Sequence, residues 1–357
     1  MLKIISKWIH RYLSDEEALL LFFLLVAGLF LILMLGRALA PVFISIIVAF
    51  LMQGAVNRIE KYIPRTVSVL LVFFAFVAAL LAFMLIVMPQ VWQQLVTLFN
   101  ETPRMISQFQ AMLLVLPEHY PDLITEQQVR QLIGVAATEL SKAGQWVLTF
   151  SLHSITNIVA LLIYVILVPI LVFFFLKDGS HLMDGLARFL PEKRQMMRTI
   201  WIEMDAQIAN YVRGKAIEIL IVGAVSYVVF AFLGLNYAAL LAIMVGVSVV
   251  IPYIGAALVT IPVAGIALFQ WGWGSEFMYL MIAYFVIQAL DGNVLVPLLF
   301  SEAVNLHPVS IIVAVLLFGS LWGVWGVFFA IPLATLIKSV INAWPSVIEE
   351  VAAKEEE

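Results

Sequence analysis

Long runs of apolar residues constrain this chain more than any other feature of its sequence. Such runs occupy residues 17–35, 67–88, 155–176 and 217–235. An α-helix needs roughly 20 apolar residues to cross about 30 Å of hydrocarbon, which is the length of these runs. Only 12% of the residues are charged, against about a quarter in soluble domains. The sequence therefore predicts an integral membrane protein with several spans.

The pattern within the runs indicates helices rather than a β-barrel. Every backbone polar group in lipid needs a partner within the protein, so that only helical bundles and closed barrels span membranes. Barrel strands alternate apolar and polar residues, whereas these runs are continuously apolar. A shorter run, 40–52, opens with Pro41, and we expect it to form a separate short span. The predicted fold class is an all-α polytopic membrane protein.

Basic residues predict which side of the membrane each loop faces. The segment 177–214 is rich in Lys and Arg, as are the first residues and the short loop 53–65, whereas 90–144 has more acids than bases. Cytoplasmic loops carry an excess of Lys and Arg. We therefore expect both termini in the cytoplasm and 90–144 on the outer side.

These patterns divide the chain into six segments. Within the basic one, six apolar residues at spacings of three and four form one face of an amphipathic helix: Met197, Ile200, Trp201, Met204, Ile208 and Tyr211. That helix is expected to pack on the bundle or at the membrane interface, with a regulatory element as the alternative. The segments are 1–89, N-terminal transmembrane helices; 90–145, an extracytoplasmic amphipathic segment; 146–176, a transmembrane helix; 177–216, a cytoplasmic amphipathic segment; 217–344, a transport core; and 345–357, an acidic cytoplasmic tail.

The C-terminal third contains two pairs of short apolar arms. Arms 237–250 and 256–269 are joined by IPYIG, and arms 309–318 and 327–341 by GSLWGVWG. Paired interrupted segments are typical of the discontinuous helices that line transporter sites. The alternative is a small-residue packing seam with a simple Pro kink. The candidate helix-break residues are Pro252, Gly255, Pro262, Pro297, Pro308, Gly319, Gly323, Gly326 and Pro332.

Two acids lie in a region that has no Lys or Arg between residues 219 and 337. Asp291 follows the apolar run 277–290, and Glu302 lies eleven residues further on. Carboxylates within membrane segments are costly and usually face a cavity, a partner or an ion path. The alternative for Asp291 is a solvated turn, because it opens the turn-forming sequence Asp-Gly-Asn. The candidate path or coupling residues are Asp291, Glu302, Asn293, Asn305 and His307.

Other classes of chemistry find little support. The sequence has neither a G-x-x-x-x-G-K-[ST] phosphate loop nor an H-E-x-x-H zinc motif, and it contains no Cys. No second His or Cys stands at metal spacing from His307. The net charge of −4 gives no reason to expect a nucleic-acid partner. We expect a protein that is not an enzyme and that has no metal and no cofactor.

Three stretches resemble the autoinducer-2 exporter family of bacterial permeases. They are VIPYIGAALVTIPVAGIALFQWG at 250–272, DGNVLVPLLFSEAVNLHP at 291–308 and FGSLWGVWGVFFAIPLATLIKSVINAW at 318–344. The resemblance implies an inner-membrane protein of about eight helices that exports a small molecule or couples transport to ions. It also implies a homo-oligomer, with five chains as one candidate number, and an elevator-like motion.

Together these features predict a secondary transporter embedded in the lipid bilayer. The resemblance implies that its cargo is a small molecule of the autoinducer-2 type, or cations exchanged for protons, moved by alternating access. Asp291 and Glu302 are the candidate proton or cation groups. The alternative is a membrane scaffold that transports nothing and uses the hairpins for packing.

Overall fold

The computed structural model describes residues 16–114, 158–188, 190, 194–300 and 306–343, with six single positions between 127 and 142. Helices dominate this part of the chain. In order, they are α1 Glu16–Ile59, α2 Arg65–Leu114, α3 Ile158–Ala187, α4 Gln195–Phe232, α5 Ala238–Ser248, α6 Ile254–Trp271, α7 Ser275–Leu290, a π segment Asp291–Leu295, α8 Val296–Phe300, α9 Pro308–Trp322, α10 Val324–Phe328 and α11 Ala330–Ala343.

Six helical stretches in the described residues are long and apolar enough to cross a membrane. They are 38–59, 65–108, 163–185, 195–232, 254–271 and 275–300. Four shorter apolar helices, 19–32, 238–248, 308–322 and 330–343, accompany them. The expected all-α polytopic membrane fold is confirmed, with the short helices concentrated in the C-terminal third.

The first helix differs from the two separate spans that its sequence predicts. Residues 16–59 form one helix with Pro41 inside it. Glu17 Oε1 accepts a hydrogen bond from Met197 N of α4 (2.7 Å), and Gly54 lies against the Arg213 side chain of the same helix. Residues 17 and 54 of a straight helix would be roughly 55 Å apart, whereas 197 and 213 are roughly 24 Å apart. The helix therefore bends, and Pro41 supplies a cause because it cannot donate a backbone hydrogen bond.

Helix α4 includes residues of two predicted segments, the cytoplasmic segment 177–216 and the transport core 217–344. It runs without interruption from Gln195 to Phe232 and continues through Gly214, which lies between the amphipathic part and the apolar part. In the amphipathic part, Met197, Ile200 and Met204 pack against Leu21 of α1 and the end of α11. Trp201, expected on this face, is exposed instead. The described structure thus places this face on the bundle.

Two helical hairpins form in the C-terminal third. Helices α5 and α6 are joined by residues 249–253, and α9 gives way to α10 and α11 at Gly323, where φ is +61°. A Cβ on Gly255 would collide with the backbone carbonyl of Ser248, and one on Gly326 with that of Phe318. Only glycine permits backbones to approach so closely.

Two clusters of buried side chains hold the hairpins in place. One surrounds the fully buried Tyr284, Phe230, Leu241 and Leu280, where α4, α5, α6 and α7 meet. The other joins α4 to α8, α9 and α11, and it consists of Tyr211, Val212, Phe300, Ile311, Ala314, Val315, Ala330 and Ile331. The candidate site lies where these clusters adjoin.

Candidate functional site

One face of α4 carries three buried polar side chains. Tyr211, Lys215 and Glu218 lie four and three residues apart, the spacing that places helical residues on the same side. The side chains of Lys215 and Glu218 are only 5% and 2% exposed. Charged residues are almost never fully buried unless they are paired, so the surroundings of this face must supply compensation.

Lys215 has three favourable contacts. Its Nζ lies 2.7 Å from Glu218 Oε2 and donates a hydrogen bond to the carbonyl of Val249 (2.9 Å). It also lies 5.2 Å from the centre of the Phe300 ring, within cation–π range. Val249 follows the last residue of α5, where carbonyl groups without helical partners carry partial negative charge. Lys215 therefore links α4 to the break between α5 and α6.

The Phe300 ring reaches Lys215 because residue 214 is glycine. A Cβ at Gly214 would lie 2.7 Å from Phe300 Cε1, closer than the atoms could tolerate. The hydroxyl of Tyr211, one turn earlier, donates to the carbonyl of Phe328 in α10 (3.0 Å). This turn of α4 thus connects both hairpins.

Asp291 approaches the same region from the end of α7. It begins the π segment, a wider helical turn that often occurs at functional sites. Its Oδ1 atom is buried and has no hydrogen-bond partner among the described residues. The carboxylate is within electrostatic range of both Lys215 and Glu218. Two acids and one base therefore act on each other here.

These residues line a cavity of about 360 Å³, which we call the Lys215 cavity. Its charged members are Lys215, Glu218 and Asp291. Both the 249–253 break and the π segment contribute to its wall, so it lies where the helices are irregular. The lining residues are Tyr211, Lys215, Glu218, Val249, Ile251, Pro252, Tyr253, Ala256, Gln288, Asp291, Gly292, Val296, Phe300, Ile311 and Ile331.

A chain of hydrogen bonds behind the cavity fixes Gln288. Its Nε2 donates to the hydroxyl of Tyr284 (2.9 Å), which lies 2.9 Å from Thr260 Oγ1. Thr260 Oγ1 in turn donates to the carbonyl of Ala256 (2.7 Å). Gln288 therefore keeps its amide oxygen and the second of its two amide N–H groups for other contacts.

A second, more open cleft of about 460 Å³ lies near the turn between α4 and α5. Gln94 Oε1 accepts a hydrogen bond from Leu240 N (2.9 Å), and Tyr237 donates to Glu101 Oε2 (2.7 Å). Burial, followed by this hydrogen bond and the charge of Glu101, raises the pKa of Tyr237 to about 12. These bonds attach α2 to the start of α5. All residues that line this cleft are polar or aromatic: Gln90, Gln93, Gln94, Thr97, Glu101, Asn236 and Tyr237.

The candidate path residues do not all meet. Asp291 lines the Lys215 cavity, whereas Asn293 is exposed and donates locally to the carbonyl of Ala289 (2.8 Å). His307 is the N-cap of α9, and its Nδ1 accepts from Val309 N (3.3 Å). Glu302 and Asn305 lie outside the described residues. Within the described part, no group of three His, Asp or Glu residues is arranged to hold a metal ion.

The candidate helix-break residues occupy different positions. Pro252 lies in the break between α5 and α6, and Gly323 ends α9. Helix α6 continues through Pro262, so the sequence-based break at that residue does not occur; Pro is tolerated where neighbouring groups satisfy the freed backbone. Helices also continue through Gly319 in α9 and Gly326 in α10. The others lie in the first turns of helices: Gly255 in α6, Pro297 in α8, Pro308 in α9 and Pro332 in α11.

The residues singled out from the sequence do not include Lys215 and Glu218, which are central to the cavity. Lys215 is the last basic residue before a stretch that has no Lys or Arg up to residue 337, and Glu218 lies three residues after it. Their spacing of three residues, at the start of an apolar run, was the available signal. Opposite charges at that spacing can pair on one helix face and enter a membrane together.

Comparison with known proteins gives consistent results over nearly the whole chain. A sequence model described as "AI-2E family transporter" matches residues 20–346. "Putative permease PerM" of Escherichia coli (strain K12) is 44% identical over 346 residues, covering 97% of this chain and 98% of that protein. "Putative transport protein YueF" of Bacillus subtilis (strain 168) is 28% identical over 311 residues, covering 84% of this chain and 82% of its own length.

Proposed function

Because this chain belongs to the AI-2E family of transporters, we propose that it is a secondary transporter whose solute path passes through the Lys215 cavity. Lys215, Glu218 and Asp291 are the groups that exchange protons or cations in this proposal. The observation that carries it is the meeting of these three charges at the break between α5 and α6. Ionisable groups beside interrupted membrane helices commonly mark transport paths.

Charge exchange gives this arrangement a mechanism. Lys215 contacts Glu218 directly, and Asp291 is close enough to compete with Glu218 for the positive charge of Lys215. Protonation of either acid would change which carboxylate holds Lys215, and a bound solute would do the same by occupying one of them. Movement of Lys215 would in turn release the Val249 carbonyl and the end of α5. Solute binding and helix position would thus depend on each other.

The hairpins supply elements that can move. The proposal places the protein in the inner membrane with both termini in the cytoplasm. In alternating access, the α5–α6 and α9–α11 hairpins would shift relative to α1, α2 and α3. The Gln94 and Glu101 hydrogen bonds from α2 to the α5 region would then have to break. Both bonds lie at the polar cleft, where water could supply new partners to the groups that separate.

Two kinds of cargo fit the family: a small molecule of the autoinducer-2 type, which is exported, or cations exchanged for protons. The charged lining favours coupling to protons in either case. A cavity of about 360 Å³ is also within the usual range for small-molecule sites, which is about 300–1,000 Å³. We therefore expect proton movement to accompany movement of the solute.

Proteoliposomes test the proposal. A pH-sensitive dye inside the vesicles would report proton movement after addition of sodium chloride or autoinducer-2. Asp291→Asn and Glu218→Gln should each reduce solute-dependent proton movement at least about tenfold, since one proton-binding group is lost in each. The matched control is Glu276→Gln, which removes an exposed acid from the start of α7.

The alternative is a scaffold that transports nothing. Vesicles containing folded wild-type protein that move neither probe nor protons would favour the scaffold. Transport at wild-type rates in both Asp291→Asn and Glu218→Gln would remove the cavity from the mechanism while leaving the family assignment intact. Equal vesicle incorporation of every variant, measured by protein recovery, makes these rates comparable.

The proposal includes a homo-oligomer of unspecified number. The exposed Trp92 and the half-buried Phe99 on α2 are candidate contact residues. Phe109 and Met112 are two more, and their side chains lie outside the described ones. Native mass spectrometry in mild detergent should show assemblies larger than one chain. Monomers alone, both in detergent and after crosslinking in membranes, would contradict this part of the proposal.

A further inference from the structure

The Lys215 cavity has one more acid than base. Lys215 is matched by Glu218 at 2.7 Å, so Asp291 is the carboxylate without a direct ionic partner among the described residues. Its Oδ1 is buried and accepts no hydrogen bond from them. A buried carboxylate oxygen without a donor costs free energy until a donor arrives. We propose that this oxygen binds the ammonium group of a small organic cation, the substrate of the transporter.

The other polar groups in the cavity also favour a ligand with hydrogen-bond donors. One of the two amide N–H groups of Gln288 donates to Tyr284, and its amide oxygen can accept from a ligand. Lys215 has committed its ammonium group to Glu218 and to the Val249 carbonyl. The cavity thus offers acceptor oxygens at Gln288 and Asp291, beside one remaining N–H each on Gln288 and Lys215. An anionic ligand would meet an excess of negative charge.

Aromatic side chains in the wall fit the organic part of such a ligand. Tyr211, Tyr253 and Phe300 all line the cavity. The Phe300 ring already has one ammonium group, that of Lys215, at 5.2 Å from its centre. Aromatic faces attract cations, and they also bury apolar surface. A primary amine with an aromatic or aliphatic body would satisfy both the carboxylate and the rings.

Tyr253 places one of these rings at the helix break. Its φ of +63° and ψ of −49° are unusual for a residue with a side chain, and its side chain remains 61% exposed. Strained backbone of this kind occurs at sites that clamp ligands. In this proposal, Tyr253 contributes an aromatic surface that the ligand covers on binding.

Binding to purified protein tests the substrate class without a transport assay. The probe is 2-phenylethylamine, a cation at neutral pH, and its neutral counterpart is 2-phenylethanol, which has nearly the same shape. Isothermal titration should show saturable binding of the amine, with the alcohol and phenylacetate at least about tenfold weaker. Empty detergent micelles give the background from partitioning of the amine.

Variants of Asp291 locate the binding. Asp291→Asn should lower the affinity for the amine at least about tenfold and leave the affinity for the alcohol nearly unchanged. Asp291→Glu should retain most of the preference for the amine over the alcohol. Glu276→Gln, with its exposed acid removed, should behave as wild type. Circular dichroism and size-exclusion chromatography establish that each variant is folded. Equal binding of amine and alcohol, or an unchanged amine affinity in folded Asp291→Asn, would refute the organic cation.

This inference rests on the proposed transport function, but the two can fail separately. If the amine does not bind while proton-coupled transport depends on Asp291, the substrate class is wrong and the transport site stands. Binding of the amine at Asp291 without any transport would instead support the ligand site and contradict the proposed function.

Discussion

The buried ion pair on α4 yields a quantitative prediction about stability. Lys215→Met leaves Glu218, only 2% exposed, without its cationic partner. Removing one member of a buried pair typically destabilises a protein by about 3–5 kcal/mol. Glu218→Leu should cost less, because Lys215 retains the Val249 carbonyl and the Phe300 ring. The two together should approach wild-type stability, since apolar replacement of a whole buried pair is often neutral.

Unfolding by sodium dodecyl sulfate in mixed micelles, followed by tryptophan fluorescence, measures these differences. The double-mutant cycle should give a coupling free energy of about 3–5 kcal/mol or more between the two positions, because the double variant avoids the cost of Lys215→Met alone. Lys177→Met is the control, because Lys177 is an exposed cation over the Phe173 ring and should cost no more than about 1 kcal/mol. Losses that simply add in the double variant would refute the reasoning.

Three further predictions concern the hairpins, the polar cleft and the topology. Gly255→Ala should destabilise the protein by about 1–3 kcal/mol or more, because its Cβ would meet the Ser248 carbonyl; Gly265→Ala in the same helix, with open space around it, should not, and thermal unfolding compares them. The pKa of Tyr237, raised from 10.0 to about 12, means that the folded state holds the phenol proton more tightly. Stability should therefore fall between pH 10 and about 12 in the wild type relative to Tyr237→Phe, as measured by unfolding at each pH. A single Cys at Gln110, in a chain with no native Cys, should react with a membrane-impermeant reagent from outside intact cells; reaction only after lysis would reverse the proposed topology.

The helical fold could be predicted from sequence because lipid leaves the backbone few options. The apolar runs and the IPYIG interruption indicate helices and a hairpin, and the structure has α5 and α6 on either side of that interruption. The two spans expected at 17–35 and 40–52 lie in one continuous helix, because Pro41 does not end it, and residues 38–59 remain long and apolar enough to cross a membrane. In an environment without water, a continuous bent helix satisfies more backbone groups than a loop does.

The cavity was less predictable because it depends on contacts between distant helices. Asp291 and Glu302 were the candidate proton or cation groups, and Glu302 lies outside the described residues. The charges near Asp291 in the described structure come from Lys215 and Glu218 on α4. The Asp-Gly-Asn sequence also suggested a solvated turn, whereas these residues begin a π segment that continues directly into α8. Local turn preference is overridden here because the segment remains helical between two apolar helices.

The ion pair has a consequence for function that stability alone does not explain. A Lys–Glu pair in a buried site is often no more stable than apolar residues of similar size, so that stability gives little reason to place one beside a second acid, Asp291. If the pair serves transport, Lys215→Met combined with Glu218→Leu should fold normally and retain Asp291, yet lose solute-dependent proton movement. If the double variant is stable and its solute-dependent proton movement equals that of the wild type, the ion pair serves packing and not transport. A stable double variant without coupling would separate the two roles and leave charge exchange as the reason for its burial.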